Sequence, residues 1–95
     1  MSAYVIVDIE VTDATEYEKY KALAPAAIAS FGGRFLARGG RTEKLEGDWS
    51  PNRIVVIEFE SIERAKAWLA SAEYAPALAI RRQNANCKMI VVEGV

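Results

Sequence analysis

From Tyr4 to Val11 the chain reads Tyr-Val-Ile-Val-Asp-Ile-Glu-Val, and its odd positions Val5, Val7 and Ile9 are uniformly apolar. That period of two predicts a strand with Val5, Val7 and Ile9 on one face and Tyr4, Ile6, Asp8 and Glu10 on the other. The period then changes. Tyr17, Tyr20, Ala24, Ala27 or Ile28, and Phe31 fall on one helical stripe, with Asp13 placed to cap it and Glu16 three residues later. Pro25 lies inside the stripe and predicts a helix kinked or loosened there, yet continuous. Gly32-Gly33 supplies a left-handed stop.

A second strand is predicted from Arg34 to Arg38, resuming around Thr42 to Glu46, with a bulge or sharp bend at Gly39-Gly40. Gly47 to Asn52 is turn chemistry around Trp49. Arg53 to Phe59 is the third strand, with Val55, Ile57 and Phe59 as its uniform apolar set. Ser61 caps a second helix with apolar positions Ile62, Ala65, Trp68 and Leu69. Ser71 breaks or re-caps it before a continuing helix carrying Tyr74, Pro76 near its first turn, Leu78, and Arg81-Arg82. Lys88 to Glu93 is the last strand. The order β-α-β-β-α-β, with right-handed crossovers, predicts an α+β ferredoxin-like fold: a four-stranded antiparallel sheet with both helices on one face.

Strand parity fills the other face with Tyr4, Ile6, Leu36, Ile54, Val56, Ile90 and Val92, with Asp8, Arg38, Glu58 and Lys88 among or beside them. Branched aliphatics in that density mark an interface. A homodimer packing two such faces together is the expected solution, enclosing a partly apolar cavity.

Composition sharpens this picture at a few points. A length of 95 residues predicts one domain over residues 1–95. The 12 basic and 13 acidic residues balance, and no basic run occurs, which argues against nucleic acid and anionic membrane as partners. The first ten residues have no basic n-region and their apolar run breaks at Asp8, so neither a signal peptide nor a membrane span is expected, and a cytoplasmic protein is. Histidine is absent, which removes the commonest general base, metal ligand and nucleophile partner. Cys87 stands alone and reads as a small buried hydrophobe. Neither a metal site nor a tightly held cofactor is expected.

Candidate chemistry therefore rests on a few polar groups. Arg38 between Asp8 and Glu58 matches by sign, either as an ion-pair cluster fixing the dimer or as a ligand site. Tyr4 on the same face, Trp49 in the turn and Arg53 after it complete the candidate ligand-binding set with Arg38. The glycine pairs show no GxGxxG or Walker pattern and read as backbone geometry. Trp68, Tyr17 and Tyr20 read as packing.

Several segments together carry a family likeness: Tyr17-x-x-Tyr20, Pro25, Gly-Gly-Arg-Phe-Leu-Ala-Arg-Gly-Gly (32–40), Leu-Glu-Gly-Asp-Trp (45–49), Pro51-x-Arg53, Val-Val-Ile-Glu-Phe (55–59), Ala67-Trp68 and Ser71-x-Glu73-Tyr74. Over nearly the whole chain the sequence resembles the uncharacterised bacterial family labelled domain of unknown function 1330. Leu69 and Ala72 depart from the aromatic and proline expected after Trp68 and Ser71. The resemblance implies the dimeric α/β-barrel superfamily, whose members include cofactor-free monooxygenases, muconolactone-type isomerases, dye-decolourising peroxidases and stress-response dimers. Lack of histidine weighs against the haem and isomerase branches. Two readings remain. One is a homodimer binding a small organic metabolite in the cavity beside the sheet. The other is a cofactor-independent, monooxygenase- or isomerase-like enzyme with Glu58 or Asp8 as base and Arg38 holding an anion or oxyanion.

Overall fold

The computed structural model describes residues 1–95 and has the element order β1 (Ala3–Val11), α1 (Ala14–Ser30), β2 (Arg34–Arg38), β3 (Ile54–Phe59), α2 (Ile62–Leu69), α3 (Ala75–Asn84) and β4 (Ala85–Glu93). The strands form one antiparallel sheet in the order β2-β3-β1-β4. Along β1 and β3 burial alternates residue by residue, and Val5, Val7, Ile9, Val55, Ile57 and Phe59 are the buried set. They meet Tyr17, Ala24, Ile28, Ala65, Trp68 and Tyr74 of the helical layer in one core. The fold is α+β and ferredoxin-like, as the alternation of periods predicts.

Local chemistry explains where the elements stop. The Asp13 carboxylate accepts the Glu16 amide proton at 3.1 Å and starts α1. Gly32, at φ 76°, ends it in the left-handed region, and the amides of Gly32 and Gly33 return to the carbonyls of Ala29 and Ile28, each at 2.9 Å. The Ser61 hydroxyl caps α2 through the Arg64 amide at 3.1 Å. The second helical region is two helices. Ser71 donates to the Trp68 carbonyl at 2.8 Å and accepts from the Tyr74 amide at 3.1 Å, closing a tight turn between α2 and α3.

Three expectations need correction. β4 begins at Ala85, earlier than Lys88, because Ala85, Asn86 and Cys87 continue the ladder against Val11, Glu10 and Ile9. No strand resumes over Thr42–Glu46. The ladder ends where the Gly39 amide meets the Ile54 carbonyl at 2.8 Å, and the chain before β3 turns toward Asp8 instead of running beside residues 42–46. The bulge lies at Leu36, ahead of the glycine pair. Phe35 faces Ile57, Ala37 faces Val56 and Arg38 faces Val55, so Leu36 is the extra residue.

That bulge matters because it inverts parity for the rest of β2. Arg38 now shares the side of the buried Val55, facing the helices. The opposite face of the sheet carries no helix. On it Leu36 is 48% exposed, Ile90 62% and Val92 45%, a branched aliphatic surface open to solvent in the single chain.

Candidate functional site

The two faces of the sheet divide the candidate residues. On the helix-free face the Asp8 carboxylate is a loop anchor: Oδ1 accepts the Asn52 amide at 2.9 Å and Oδ2 the Trp49 indole N–H at 3.4 Å. Trp49 thus lies over the sheet beside Ile6, Ile54 and Ile90. Glu58 accepts from Arg34 Nε at 2.6 Å, which holds its carboxyl below the ordinary value. Tyr4 occupies the same face, opposite Glu58 and Val92. The expected cluster of Arg38 with Asp8 and Glu58 does not form, because the Leu36 bulge sends Arg38 to the other side. Glu58 or Asp8 as base and Arg38 as oxyanion holder cannot serve one bound molecule across the sheet.

On the helix side Arg38 and Arg53 converge on a cavity between β1, β3 and the helices, walled by Tyr17, Tyr20, Phe35, Trp68 and Arg81. Arg53 gets there by strand parity, since it shares the side of Val55 and Ile57, and its carbonyl is fixed by the Ile9 amide at 2.8 Å. Its guanidinium lies against Gly39, at φ 69°, where any Cβ would collide with it. Arg38 rests on the Phe35 ring, with its guanidinium carbon 4.6 Å from the centroid, and donates Nη2 to the Lys21 carbonyl at 3.0 Å.

Arg81 escaped the sequence reading, yet it is 6% exposed and the one charged residue in the buried set. It donates Nε to the Tyr74 hydroxyl at 3.3 Å, which in turn sits 2.7 Å from the Tyr20 hydroxyl. The signal was present: Tyr74, Ala77 and Arg81 fall on one helical stripe, so this arginine replaces an apolar residue on a buried face. Tyr17, Tyr20, Tyr74 and Trp68 form a continuous aromatic wall, with Trp68 and Tyr74 centroids 4.4 Å apart and Tyr17 and Tyr20 5.1 Å apart.

The electrostatics of this cavity are one-sided. Arg38, Arg53 and Arg81 make no ion pair, and no Asp or Glu lines the cavity. Arg53 Nε and Trp68 Nε1 are buried donors without an acceptor. An unsatisfied buried donor costs about 1–3 kcal/mol, more when charged. Burial pushes the Tyr20 phenol well above its ordinary value, reinforced by Tyr74, and burial raises Tyr17 against the opposing pull of Arg53. Both phenols are therefore neutral at pH 7. The free volume is only about 20 Å³, room for about one water.

The layered βαββαβ sheet with a cavity under its helices defines the ferredoxin-like class. The chain belongs to the family described as domain of unknown function (DUF1330), which it matches over residues 2–95. Solved structures of the same shape include RPA0582 from Rhodopseudomonas palustris, a protein of unknown function (TM-score 0.77, 16% identity, 99% of this chain and 82% of that one). A dimeric ferredoxin-like protein of unknown function from Jannaschia sp. CCS1 aligns at TM-score 0.72 and 10% identity, over 99% of this chain and 100% of that one. SnoaB, a cofactor-independent oxygenase from Streptomyces nogalater, aligns at TM-score 0.68 and 15% identity, over 99% and 93% of the two chains. At these identities the likeness is one of fold. No curated protein matches the sequence. No helix is long and apolar enough to cross a membrane.

Proposed function

We propose that this chain is a homodimer that binds a small organic metabolite on the helix side of its sheet, in the cavity of Arg38, Arg53 and Arg81. One observation carries the reading: Arg53 Nε is buried without an acceptor in a cavity that holds three guanidinium groups and no carboxylate. A buried donor without a partner is uncommon in a folded protein, and a ligand oxygen is a partner that fits. In the closed state there is room for about one water, so a ligand enters by moving rim side chains, of which Arg38 is exposed and Lys21 half-buried.

The dimer half of the proposal rests on the aliphatic surface of Ile6, Leu36, Ile54, Val56, Ile90 and Val92. The Jannaschia protein of like shape is described as dimeric. Trp49, held over that surface by Asp8, would then sit at the subunit boundary, with Tyr4 and Glu58 as interface residues rather than ligand contacts. Catalysis is no part of this reading. The oxygenase of like fold lends it only a shape, and the cavity wall offers no carboxylate and no phenol ionised at neutral pH.

A thermal-shift screen of small carboxylates, enones and quinones tests the binding half, and light scattering tests the dimer. A hit whose stabilisation disappears in Arg53→Gln, on a particle of twice the 10.5 kDa chain mass, is the expected result. A hit that binds Arg53→Gln equally well contradicts the assigned site.

A further inference from the structure

We infer that the closed cavity is a site for one monatomic anion of the halide class, chloride in ordinary buffers, accepting from the buried Nε–H of Arg53. The inference shares the arginine cavity with the reading above and goes beyond it, since it needs no organic ligand. Two buried side-chain N–H groups lack an acceptor, Arg53 Nε and Trp68 Nε1, and both residues line this one cavity. Lys21, Arg38, Arg53 and Arg81 are its charged residues, with no Asp or Glu among the lining. Arg81 is 6% exposed, and the partner of its Nε is the Tyr74 hydroxyl at 3.3 Å, not a carboxylate. A buried charge without a counter-charge is costly, and an anion offsets that cost.

Size and hydrogen-bond count select the anion. The free volume of about 20 Å³ holds one small particle, a water or a monatomic ion, whereas a carboxylate or phosphate requires the rim to move first. The surrounding lining is already packed, with Val7, Tyr17, Ile57 and Trp68 1–3% exposed, and a monatomic ion asks no slot of it. A water would bring two protons that need acceptors of their own. Of the acceptors at hand, the Lys21 carbonyl is already bonded to Arg38 and the Tyr20 hydroxyl to Tyr74. A halide only accepts, and it brings the negative charge that the guanidinium groups lack.

Melting curves of the intact protein in sodium bromide and in sodium methanesulfonate, mixed at constant total ionic strength, test this. Screening is then fixed, and the anions differ in whether they fit the cavity. Bromide should stabilise saturably, raising the melting temperature by about 6–11 °C at ten times its dissociation constant, and methanesulfonate should not. Arg53→Gln should lose the saturable response. Arg82→Gln, which removes the same charge from an exposed position of α3, should keep it. Anomalous scattering from a bromide-soaked crystal should place the ion in the cavity beside Arg53. No saturable difference between the two salts, or bromide bound only outside the cavity, overturns the inference and makes water the occupant. The metabolite reading is judged by the organic screen, so it can stand while this inference falls. Because the salts are compared on the unaltered protein, a variant that failed to fold would not rescue the proposal.

Discussion

Pro25 leaves the Lys21 carbonyl without its helical donor, and Arg38 takes the vacancy, with Nη2 3.0 Å from that oxygen. In a regular helix the amide four residues on would bond to Lys21, but proline has none. A missing backbone donor in α1 and an arginine past a bulge in β2 are thus one device. It ties β2 to α1 across the rim of the arginine cavity, where Arg38 and Lys21 both line the wall.

The link predicts a coupling between the two positions. Alanine at 25 restores the helical donor and removes a proline that costs about 3 kcal/mol in a helix interior. Loss of proline from the unfolded chain takes back about 0.4–1 kcal/mol. Pro25→Ala should therefore stabilise by about 2 kcal/mol, a rise in melting temperature of about 8–16 °C at roughly 4–8 °C per kcal/mol. Arg38→Ala should cost about 1 kcal/mol in the natural background and less beside Pro25→Ala. Thermal denaturation of the four proteins in the cycle measures this, and strict additivity would show that the two residues are not linked.

Gly39 and Gly40 should behave differently although they are neighbours. Gly39 has φ 69° and its missing Cβ leaves room for the Arg53 guanidinium, whereas a Cβ on Gly40 would meet nothing within 4 Å. Gly39→Ala should destabilise by about 1–2 kcal/mol from the backbone alone and should also weaken ligand binding by displacing Arg53. Gly40→Ala should stay within about 0.5 kcal/mol. Denaturant unfolding of the pair, with and without a screening hit, checks both halves.

The sequence carried the layer plan, and the reason is visible in Val5, Val7, Ile9, Val55, Ile57 and Phe59. These residues sit in regular ladders where parity is fixed by the backbone. Arg38 was misplaced because one extra residue, Leu36, flips every later side chain of β2, and nothing in Arg-Phe-Leu-Ala-Arg marks which residue bulges. The strand expected at Thr42–Glu46 failed for a related reason: Asp8, distant in sequence, draws Asn52 and Trp49 to itself. Arg53 followed parity and lies at the cavity. Arg81 was legible in principle from its place on the Tyr74–Ala77 stripe, but a charge near a helix C-terminus also has an ordinary reading beside the helix dipole.

Acid stability should depend on Glu58. Its folded pKa lies below the ordinary 4.5, chiefly through the Arg34 hydrogen bond. A depressed carboxylate contributes stability above its unfolded value and loses that contribution as pH falls through the folded value. Melting temperature against pH should therefore decline below about 4.5 in the natural protein and decline less in Glu58→Gln. The effect should be small, since Arg34 is 72% exposed in the single chain. A steeper decline in the variant would contradict the assignment.

Val56→Asp tests the proposed dimer. It places a carboxylate in the middle of the aliphatic sheet face, flanked by Ile6 on β1 and Ala37 on β2. A charge there cannot be buried unpaired, so the variant should be a folded monomer by light scattering. An unchanged dimer would put the interface elsewhere.

The two tryptophans report independently on whether the proposed ligand site lies under the helices or on the open sheet face. Trp68 lines the arginine cavity and Trp49 lies on the opposite face against Asp8. Titrating a screening hit while following the two indole N–H resonances by nitrogen–proton NMR reads both faces in one spectrum. The Trp68 resonance should move with saturation while Trp49 stays in place. Movement of Trp49 alone would contradict it and return the site to the sheet face.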